Sequence, residues 1–375
     1  MQSDKLPPVH IPGSHSPERQ SVWMRLKHWR CHHPRKTIVY AVGIVAGVTL
    51  IVATVIALLF PQKSPDSLTV NSFKKPDPVI YYSSLTGRAV ENEAAKKQAV
   101  TGIMIENSPD ARPQSGLKQA GIVYEAIAEG GITRFLALYQ EAKPQLIGPV
   151  RSVRMYYVDW VAPYNASVAH IGGSAAALAE VRNGNYRDID QFFNAPYYWR
   201  ARDRYAPHNV YTSFEKLDAL NATKGYNESS FTAWPRQDGK AAETPDATTI
   251  TINFSGPLFN TAYAYDAASN TYARSVGGAA STDREEGQIA PNVVIAMKVA
   301  MSLVLEDGSR QSIETTGSGE AIVFQNGTAQ AVTWKKASRA DSIHFIDSEG
   351  KELTLNRGQT WIAAVPNGTG SVTWQ

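Results

Sequence analysis

The sequence contains almost no cysteine, and this limits how its folded part can be stabilised. Cys31 is the only cysteine among 375 residues. An intramolecular disulfide bond is therefore impossible, and we expect the folded part to depend on its hydrophobic core. Cys31 lies just before a long apolar run, where it is either an inert thiol or a site of palmitoylation. Because no cysteine follows that run, we expect no lipid anchor there.

Strong net charge is also absent from most of the chain. The formal net charge is +3, but residues 1–36 contain seven Lys or Arg and two Asp or Glu, which gives +5. The remaining 30 basic and 32 acidic residues give −2. A nearly neutral body argues against non-specific binding of nucleic acid, which requires a basic face.

Familiar catalytic and cofactor motifs are missing as well. The sequence has no HExxH zinc motif, no P-loop, no dinucleotide fingerprint and no Gly-x-Ser-x-Gly elbow. His28, His32 and His33 cluster in a basic tail that offers no ordered ligand geometry. We therefore expect neither a cofactor nor a metal ion.

An uncharged apolar run of 24 residues covers positions 37–60. As a helix it would be roughly 36 Å long, which exceeds a bilayer core of about 30 Å. The run is too long for a cleaved signal peptide. Because basic residues precede it, we expect a single-pass signal anchor with a cytoplasmic N-terminus and an extracellular body. Gly43 and Gly47 have the spacing of helix dimers, although this spacing is also frequent by chance.

Composition divides the rest of the chain into segments. Residues 1–36 are predicted to form a disordered basic tail on the cytoplasmic side. Residues 61–82 form a proline-rich linker. Residues 83–235 are predicted to form an N-terminal α/β domain, and residues 246–375 a β-rich domain. The overall prediction is an α+β protein of two domains preceded by one transmembrane helix.

The α/β domain is predicted from an alternation of strand and helix. Residues 100–104 indicate a strand, and 117–127 have apolar residues at helical spacing that end at Gly130-Gly131. Residues 133–139 indicate a second strand, and a helix carrying 155–161 would be capped by Ser152. This order predicts an α/β sandwich. In the β-rich domain, apolar and polar residues alternate in short runs, and Asn326-Gly327 indicates a hairpin turn.

Four motifs resemble a known family. They are ARPQSGL (111–117), IVYEAIAEGGITRFLALYQ (122–140), IGPVRSVRMYYVD (147–159) and APHN (206–209). They resemble the YerB-like family of bacterial envelope proteins, domain of unknown function 3048, and the likeness extends over roughly residues 83–375. The resemblance implies an extracytoplasmic, membrane-anchored protein of two domains without an established reaction. Family members are often lipoproteins with a cysteine after the signal segment, which this sequence lacks.

Several arginines lie near the ends of consecutive predicted elements, namely Arg112, Arg134, Arg151 and Arg154. If the sheet is parallel, such ends meet in a crevice, where planar guanidinium groups could bind a carboxylate or phosphate. In the alternative, Arg134 pairs with Glu125 or Glu129, which lie one helical turn apart in the predicted helix, and the other arginines hold loops in place.

Further candidate ligand-binding residues are Asp159, His170, Ser174, His208 and Asn209. Ser174 follows Gly172-Gly173 at a predicted helix start, where free N–H groups can bind anions. Either histidine could activate Ser174 or Ser115, but no spacing enforces a triad.

Two functions remain open from the sequence. The first is a non-catalytic envelope module that binds a cell-wall polymer or a partner in wall synthesis. The second is a wall-directed hydrolase, which could use Glu125 and Asp159 as paired carboxylates. The missing catalytic motifs favour the first.

Overall fold

The computed structural model describes residues 22–32, 34–59, 79–304 and 310–375. These residues form two compact units, an N-terminal unit of two helices and a larger body. Most of the predicted linker and the first part of the predicted tail lie outside the described residues.

The N-terminal unit consists of α1 (Val22–His32) and α2 (Pro34–Leu59). Residues 22–32, predicted as part of a disordered tail, are helical because Trp, Met, Leu, Lys and Arg are compatible with a helix. Pro34 begins α2, where its fixed φ suits a first turn. The segment Pro34–Ile56 has a mean hydropathy of 2.5 and is long and apolar enough to cross a membrane. Apart from the neighbouring backbone of α2, no atom of the described residues lies within 4 Å of a Cβ added at Gly43 or Gly47, and dimerisation there stays a prediction.

The body combines short helices with many strands. Its helices are α3 (Glu93–Lys97), α4 (Met155–Val161), α5 (Ala175–Asn183) and α6 (Phe214–Thr223), with 3₁₀ turns at Pro109–Ala111, Leu117–Gln119, Ala162–Tyr164 and Ala195–Tyr197. The strands of its first half are β1 (Tyr81–Tyr82), β2 (Ala89–Val90), β3 (Thr101–Glu106), β4 (Ile122–Glu129), β5 (Ile132–Tyr139), β6 (Ser167–Ala169), β7 (Arg187–Asp188), β8 (Trp199–Arg200) and β9 (Val210–Tyr211). Those of its second half are β10 (Arg236–Gln237), β11 (Thr249–Asn253), β12 (Thr261–Asp266), β13 (Thr271–Val276), β14 (Ala279–Ala280), β15 (Thr282–Asp283), β16 (Gly287–Gln288), β17 (Val293–Val299), β18 (Met301–Leu303), β19 (Gln311–Ile313), β20 (Gly317–Gln325), β21 (Thr328–Lys336), β22 (His344–Ile346), β23 (Leu355–Asn356), β24 (Thr360–Pro366) and β25 (Ser371–Trp374).

A ten-stranded mixed sheet forms the centre of the body, in the order β22-β21-β20-β17-β24-β4-β5-β3-β6-β7. Strand β24 pairs in parallel with β17 on one side and with β4 on the other. The predicted α+β class is confirmed. The sequence predicts a domain boundary between residues 235 and 246. Strands from the two halves of the chain, on either side of this boundary, pair within this one sheet.

The helix predicted over residues 117–127 is wrong, because most of this segment is strand β4. Ile122, Val123 and Tyr124 are buried, and the residues up to Ala128 on both faces of the strand are buried too. A strand covered on both faces has a nearly continuous apolar sequence, which mimics helical spacing. Gly130 and Gly131 adopt positive φ angles in the hairpin between β4 and β5. The predicted cap is also wrong, since α4 begins after Arg154 and not at Ser152.

Two layers cover the central sheet. On one face, Tyr156, Tyr157 and Trp160 of α4 pack in a core cluster with Tyr124 and Leu136. On the other face lies a five-stranded sheet in the order β14-β13-β12-β11-β25. Its inward residues Ile250, Ile252, Tyr263 and Tyr272 belong to a second core cluster. In the second half of the chain, the predicted Asn326-Gly327 turn is present, with φ angles of 60° and 79° between β20 and β21.

A buried ion pair connects the two sheets. Glu125 of β4 and Arg274 of β13 are both fully buried. The Nη2 atom of Arg274 donates to both carboxylate oxygens of Glu125 at 3.0 and 2.9 Å. Trp361 Nε1 and Thr133 Oγ1 donate to the same carboxylate at 2.9 and 3.0 Å. Because the carboxylate accepts several hydrogen bonds, its charge is compensated in the dry interior.

We expect Arg274→Met to lower the free energy of unfolding by about 3–5 kcal/mol, because it leaves the Glu125 carboxylate buried without its cation. The double variant Glu125→Leu with Arg274→Met removes both charges and should be destabilised less than the sum of the single variants. Chemical denaturation of the detergent-solubilised chain measures both effects. A loss below about 1 kcal/mol for Arg274→Met would contradict the expected role of the pair.

Candidate functional site

Charged side chains collect at one edge of the central sheet. Strands β3 and β4 both run antiparallel to β5, so their C-terminal ends lie where β5 begins. Glu106 ends β3, Glu129 ends β4, and Arg134 lies near the start of β5. Strand β6 is parallel to β3 and leads into His170 at the same edge. The sequence predicted that such ends would meet if the sheet were parallel; here β3 and β4 meet the start of an antiparallel strand, and their side chains form separate clusters.

The first cluster contains Glu129, Arg134 and Arg154. One oxygen of Glu129 pairs with Arg134 Nη2 at 2.8 Å, and the other pairs with Arg154. Burial alone would raise the pKa of Glu129, but Arg134 and then Arg154 outweigh it and lower this pKa to about 2. Arg134 also donates to the carbonyl of Ser152 at 3.1 Å. The predicted alternative, in which Arg134 pairs with a glutamate, is what the structure contains.

The second cluster surrounds the buried imidazole of His170. Its Nδ1 atom lies 2.9 Å from the carbonyl of Gly172, and Nε2 lies 3.1 Å from Asp188. His170, Asp188 and Asp190 place ligand atoms within 4.8 Å of one another, which is compact enough for a metal ion. Asp190 already accepts hydrogen bonds from Arg182 and from the Phe193 amide at 2.9 Å. These hydrogen bonds explain why the three side chains lie together, so the cluster has a structural role.

Asp159 and Ser174 lie outside both clusters. Asp159 pairs with Arg339 Nε at 2.6 Å and accepts from Thr315 at 2.8 Å. Ser174 precedes α5, but its hydroxyl does not cap that helix. The Ser174 amide donates to the carbonyl of Val153, so it is not free for an anion.

A cleft of about 700 Å³ opens beside the end of β3. Its lining contains three arginines, one histidine and two aspartates: Asp110, Arg112, Asp203, Arg204, His208 and Arg284, together with Pro113, Tyr205 and Ala206. We call it the arginine cleft. Arg284 pairs with Asp203 at 2.6 Å. Arg204 donates to the carbonyls of Asp110 and Pro113, while Asn209 accepts from Arg200 at 2.7 Å and helps to hold the same loop.

Arg112 connects the arginine cleft to the buried ion pair between the sheets. Its Nε atom donates to the side chain of Asn107 at 3.1 Å, and Nη2 donates to the carbonyls of Asn107 and Leu258 at 2.9 Å. Asn107 in turn lies 3.4 Å from the Glu125 carboxylate. Burial, followed by the charge of Arg274, lowers the pKa of Arg112. Among the residues that the structure describes, neither Arg112 nor Arg204 forms an ion pair with a carboxylate.

His208 joins the arginine cleft to Glu106 at the end of β3. The Nδ1 atom of His208 lies 2.9 Å from Glu106 Oε2 and 3.2 Å from Ser108 Oγ. The other oxygen of Glu106 lies 3.4 Å from Arg151 Nε. Glu106 is nearly inaccessible, with 4% of its side chain exposed, whereas His208 is 21% exposed.

Sequence reasoning identified part of this site and missed the rest. Of the predicted residues, Arg112 and His208 line the arginine cleft, Asn209 follows His208, and Arg151 contacts Glu106 behind His208. Glu106, Arg204 and Arg284 were missed. Arg204 stands just before the APHN motif and could have been noticed there, whereas Glu106 ends a strand whose other residues indicate only a core. Glu125 was predicted on a helix. It lies instead on strand β4, where it forms the buried ion pair with Arg274.

Comparison with known proteins links both halves of the site to one family. Residues 85–227 match the N-terminal domain model of the "Protein of unknown function (DUF3048)", and residues 250–362 match its C-terminal domain model. The chain is 32% identical over 289 residues to the "Putative lipoprotein YerB" of Bacillus subtilis (strain 168), covering 76% of this chain and 86% of that protein. The crystal structure of the YerB protein from Bacillus subtilis is similar with a TM-score of 0.70 at 30% identity, covering 78% of this chain and 99% of that one.

The paired Glu129 should make the stability of the protein sensitive to acid. Its pKa is about 2 in the folded protein against an ordinary 4.5. Its contribution is therefore complete above pH 4.5 and is lost as the pH falls towards 2. The loss amounts to at most about 3 kcal/mol. We expect Glu129→Gln to reduce the fall in unfolding free energy over this pH range, as measured by denaturation at several pH values.

Glu93→Gln serves as the matched control, because Glu93 forms an exposed pair with Lys97. Exposed pairs contribute little, so this variant should keep the pH dependence of the wild type. If Glu129→Gln kept it as well, the cluster would not be a source of acid sensitivity.

Proposed function

The chain belongs to the DUF3048 family, and we propose on this basis that it is a membrane-anchored protein of the bacterial envelope that binds an anionic cell-wall polymer. In this proposal α2 spans the membrane and the body lies outside the cell. The arginine cleft receives a phosphate or carboxylate group of the polymer.

Two features support the membrane anchor. The relative YerB is named as a lipoprotein, which is a membrane-attached protein. This chain has α2, with no acidic or basic residue between Thr37 and Leu59. The basic residues Arg35 and Lys36 immediately before that stretch favour a cytoplasmic N-terminus. A membrane helix here would take the place of a lipid.

The observation that carries the binding proposal is the excess of positive charge in the arginine cleft, whose lining has three arginines and two aspartates. Arg112 and Arg204 donate hydrogen bonds to carbonyl and amide oxygens. Because these oxygens belong to neutral groups, both guanidinium groups keep their net positive charge. Arg284 adds a third guanidinium group, neutralised by Asp203. A planar guanidinium group binds phosphate and carboxylate through two parallel hydrogen bonds. An anion would therefore gain charge-assisted contacts on entering this cleft.

Both halves of the chain are needed to build the cleft. Arg112 and Arg204 belong to the first half, and Arg284 lies in the turn between β15 and β16 of the second half. The amide of Arg284 donates to the carbonyl of Gln114 at 2.7 Å, which fixes this turn against the first half. This shared wall gives a physical reason for the two family segments to occur together.

The paired-carboxylate mechanism of the alternative hydrolase loses support. Glu125 is fully buried and bound to Arg274, Trp361 and Thr133. Asp159 is committed to Arg339 and Thr315. Retaining and inverting glycosidases need two carboxyl groups on either side of the scissile bond, and these two are engaged with other partners.

Binding is tested by retention of the detergent-solubilised chain on purified, immobilised wall polymer. We expect Arg204→Ala and Arg112→Ala each to weaken retention about tenfold or more, because each removes charge-assisted hydrogen bonds. Retention by the wild type should fall as salt is added. Arg88→Ala is the matched control, since Arg88 is exposed and does not line the cleft. Equal retention of all four proteins would refute the cleft as the binding site.

Membrane topology is tested separately by fusion of a reporter that is active only outside the cytoplasm. We expect activity when the reporter follows Gln375 and none when it precedes Met1, because the basic residues before α2 stay inside. The opposite pattern, or activity at neither end, would overturn the proposed orientation.

A further inference from the structure

Glu106 and His208 form a carboxylate–imidazole pair that no sequence spacing indicated, since the two residues are 102 positions apart. The carboxylate belongs to the last residue of β3 and is almost completely buried. The imidazole follows the loop of Arg204 and lines the arginine cleft. The fold thus holds a buried acid behind a histidine that faces a wet, positively charged cleft.

The two ring nitrogens of His208 have different surroundings. Nδ1 faces Glu106 at 2.9 Å and Ser108 at 3.2 Å, so in the neutral ring the proton resides on Nδ1 and is donated to the carboxylate. Nε2 forms no hydrogen bond with any residue in the described part of the chain, and it presents a lone pair. Ser108 shares Nδ1 with Glu106, so the three residues do not form a serine triad, in which serine and carboxylate lie on opposite nitrogens.

The other histidines of the described body, His170 and His344, lack this arrangement. Both nitrogens of His170 are occupied, and its ring is fully buried. His344 also pairs with a carboxylate, that of Glu352 at 2.8 Å, but both side chains are at the surface and neither lines the arginine cleft. Within residues 79–304 and 310–375, His208 alone combines an oriented ring with the arginine cleft.

We propose that His208 is the general base for hydrolysis of a phosphodiester held by Arg112 and Arg204. This inference rests on the proposed function, because the cleft must first bind the anion. Nε2 takes a proton from a water molecule while the water oxygen bonds to phosphorus. The bond from phosphorus to the leaving oxygen breaks, and the electron pair departs with that oxygen. The alkoxide takes a proton from solvent and Nε2 releases its proton to solvent, so ester and water give an alcohol and a phosphomonoester, and the ring regains its starting state.

The charge of the cleft favours a phosphodiester over other substrates. Negative charge spreads over the phosphoryl oxygens in the transition state, and fixed guanidinium groups stabilise it there. Hydrolysis of a glycoside would need two free carboxyl groups. The cleft lining contains two, Asp110 and Asp203, and Asp203 is bound to Arg284. Glu106 touches no substrate in this scheme and acts as a positioning residue that holds the imidazole.

Hydrolysis is measured with bis(p-nitrophenyl) phosphate and the detergent-solubilised full chain, following release of p-nitrophenol. We expect His208→Ala to lower kcat at least about 100-fold, as for loss of an acid–base group. Added imidazole should restore part of the rate in this variant, because free imidazole can occupy the vacated space. Glu106→Gln should lower kcat about tenfold or more with little change in KM, since it disturbs ring orientation. His344→Ala, the matched histidine–carboxylate control, should keep the wild-type rate.

The outcomes separate the two proposals. If the wild type is retained on wall polymer but releases no p-nitrophenol, the catalytic inference is overturned and the binding function stands. If His208→Ala releases p-nitrophenol at the wild-type rate, or imidazole restores nothing to a variant that unfolds like the wild type, His208 is not the base. If the wild type shows neither retention nor turnover, the proposed binding function fails as well.

Discussion

The buried pair of Glu125 and Arg274 is the interaction on which the body depends. It joins the central sheet to the five-stranded sheet, and the Arg274 guanidinium lies over the rings of Phe135 and Trp361. Burial alone would lower the pKa of Arg274, but Glu125 outweighs it and the net shift is upward. Two charges in a dry interior are tolerated only when they are paired and hydrogen-bonded, so the pair restricts how the two sheets can pack.

A short chain of hydrogen bonds connects this buried ion pair to the arginine cleft at the surface. Asn107 donates to Thr133 at 2.7 Å, lies beside Glu125, and accepts from Arg112 in the arginine cleft. Arg112 also lies over the ring of Phe259 from the second half. The position of a cleft arginine is therefore set by the same contacts that hold the two halves together. A preorganised cation costs little reorganisation when an anion binds.

Five of the arginines divide into two groups by their partners. Arg134, Arg154 and Arg274 neutralise glutamates and stabilise the fold. Arg112 and Arg204 contact neutral oxygens and keep their net charge available. This division separates structural charge from charge that can recognise a ligand, and residue type alone does not reveal it. The same holds for histidine, because His170 is fully engaged while His208 retains an open nitrogen.

The amino-acid sequence by itself determined the features that depend on neighbouring residues. The apolar run of α2, the alternating strands of the second half, the Asn326-Gly327 turn and the family motifs are all local. Tertiary structure decided the rest, because packing partners are remote along the chain. Residues 122–129 became a strand only through burial on both faces, and Glu125 meets Arg274 across 149 positions. Tertiary contacts bring Glu106 to His208, because the Glu106 amide donates to Pro149 and the Val150 amide donates to Val210. The open side of that imidazole therefore could not be read from spacing.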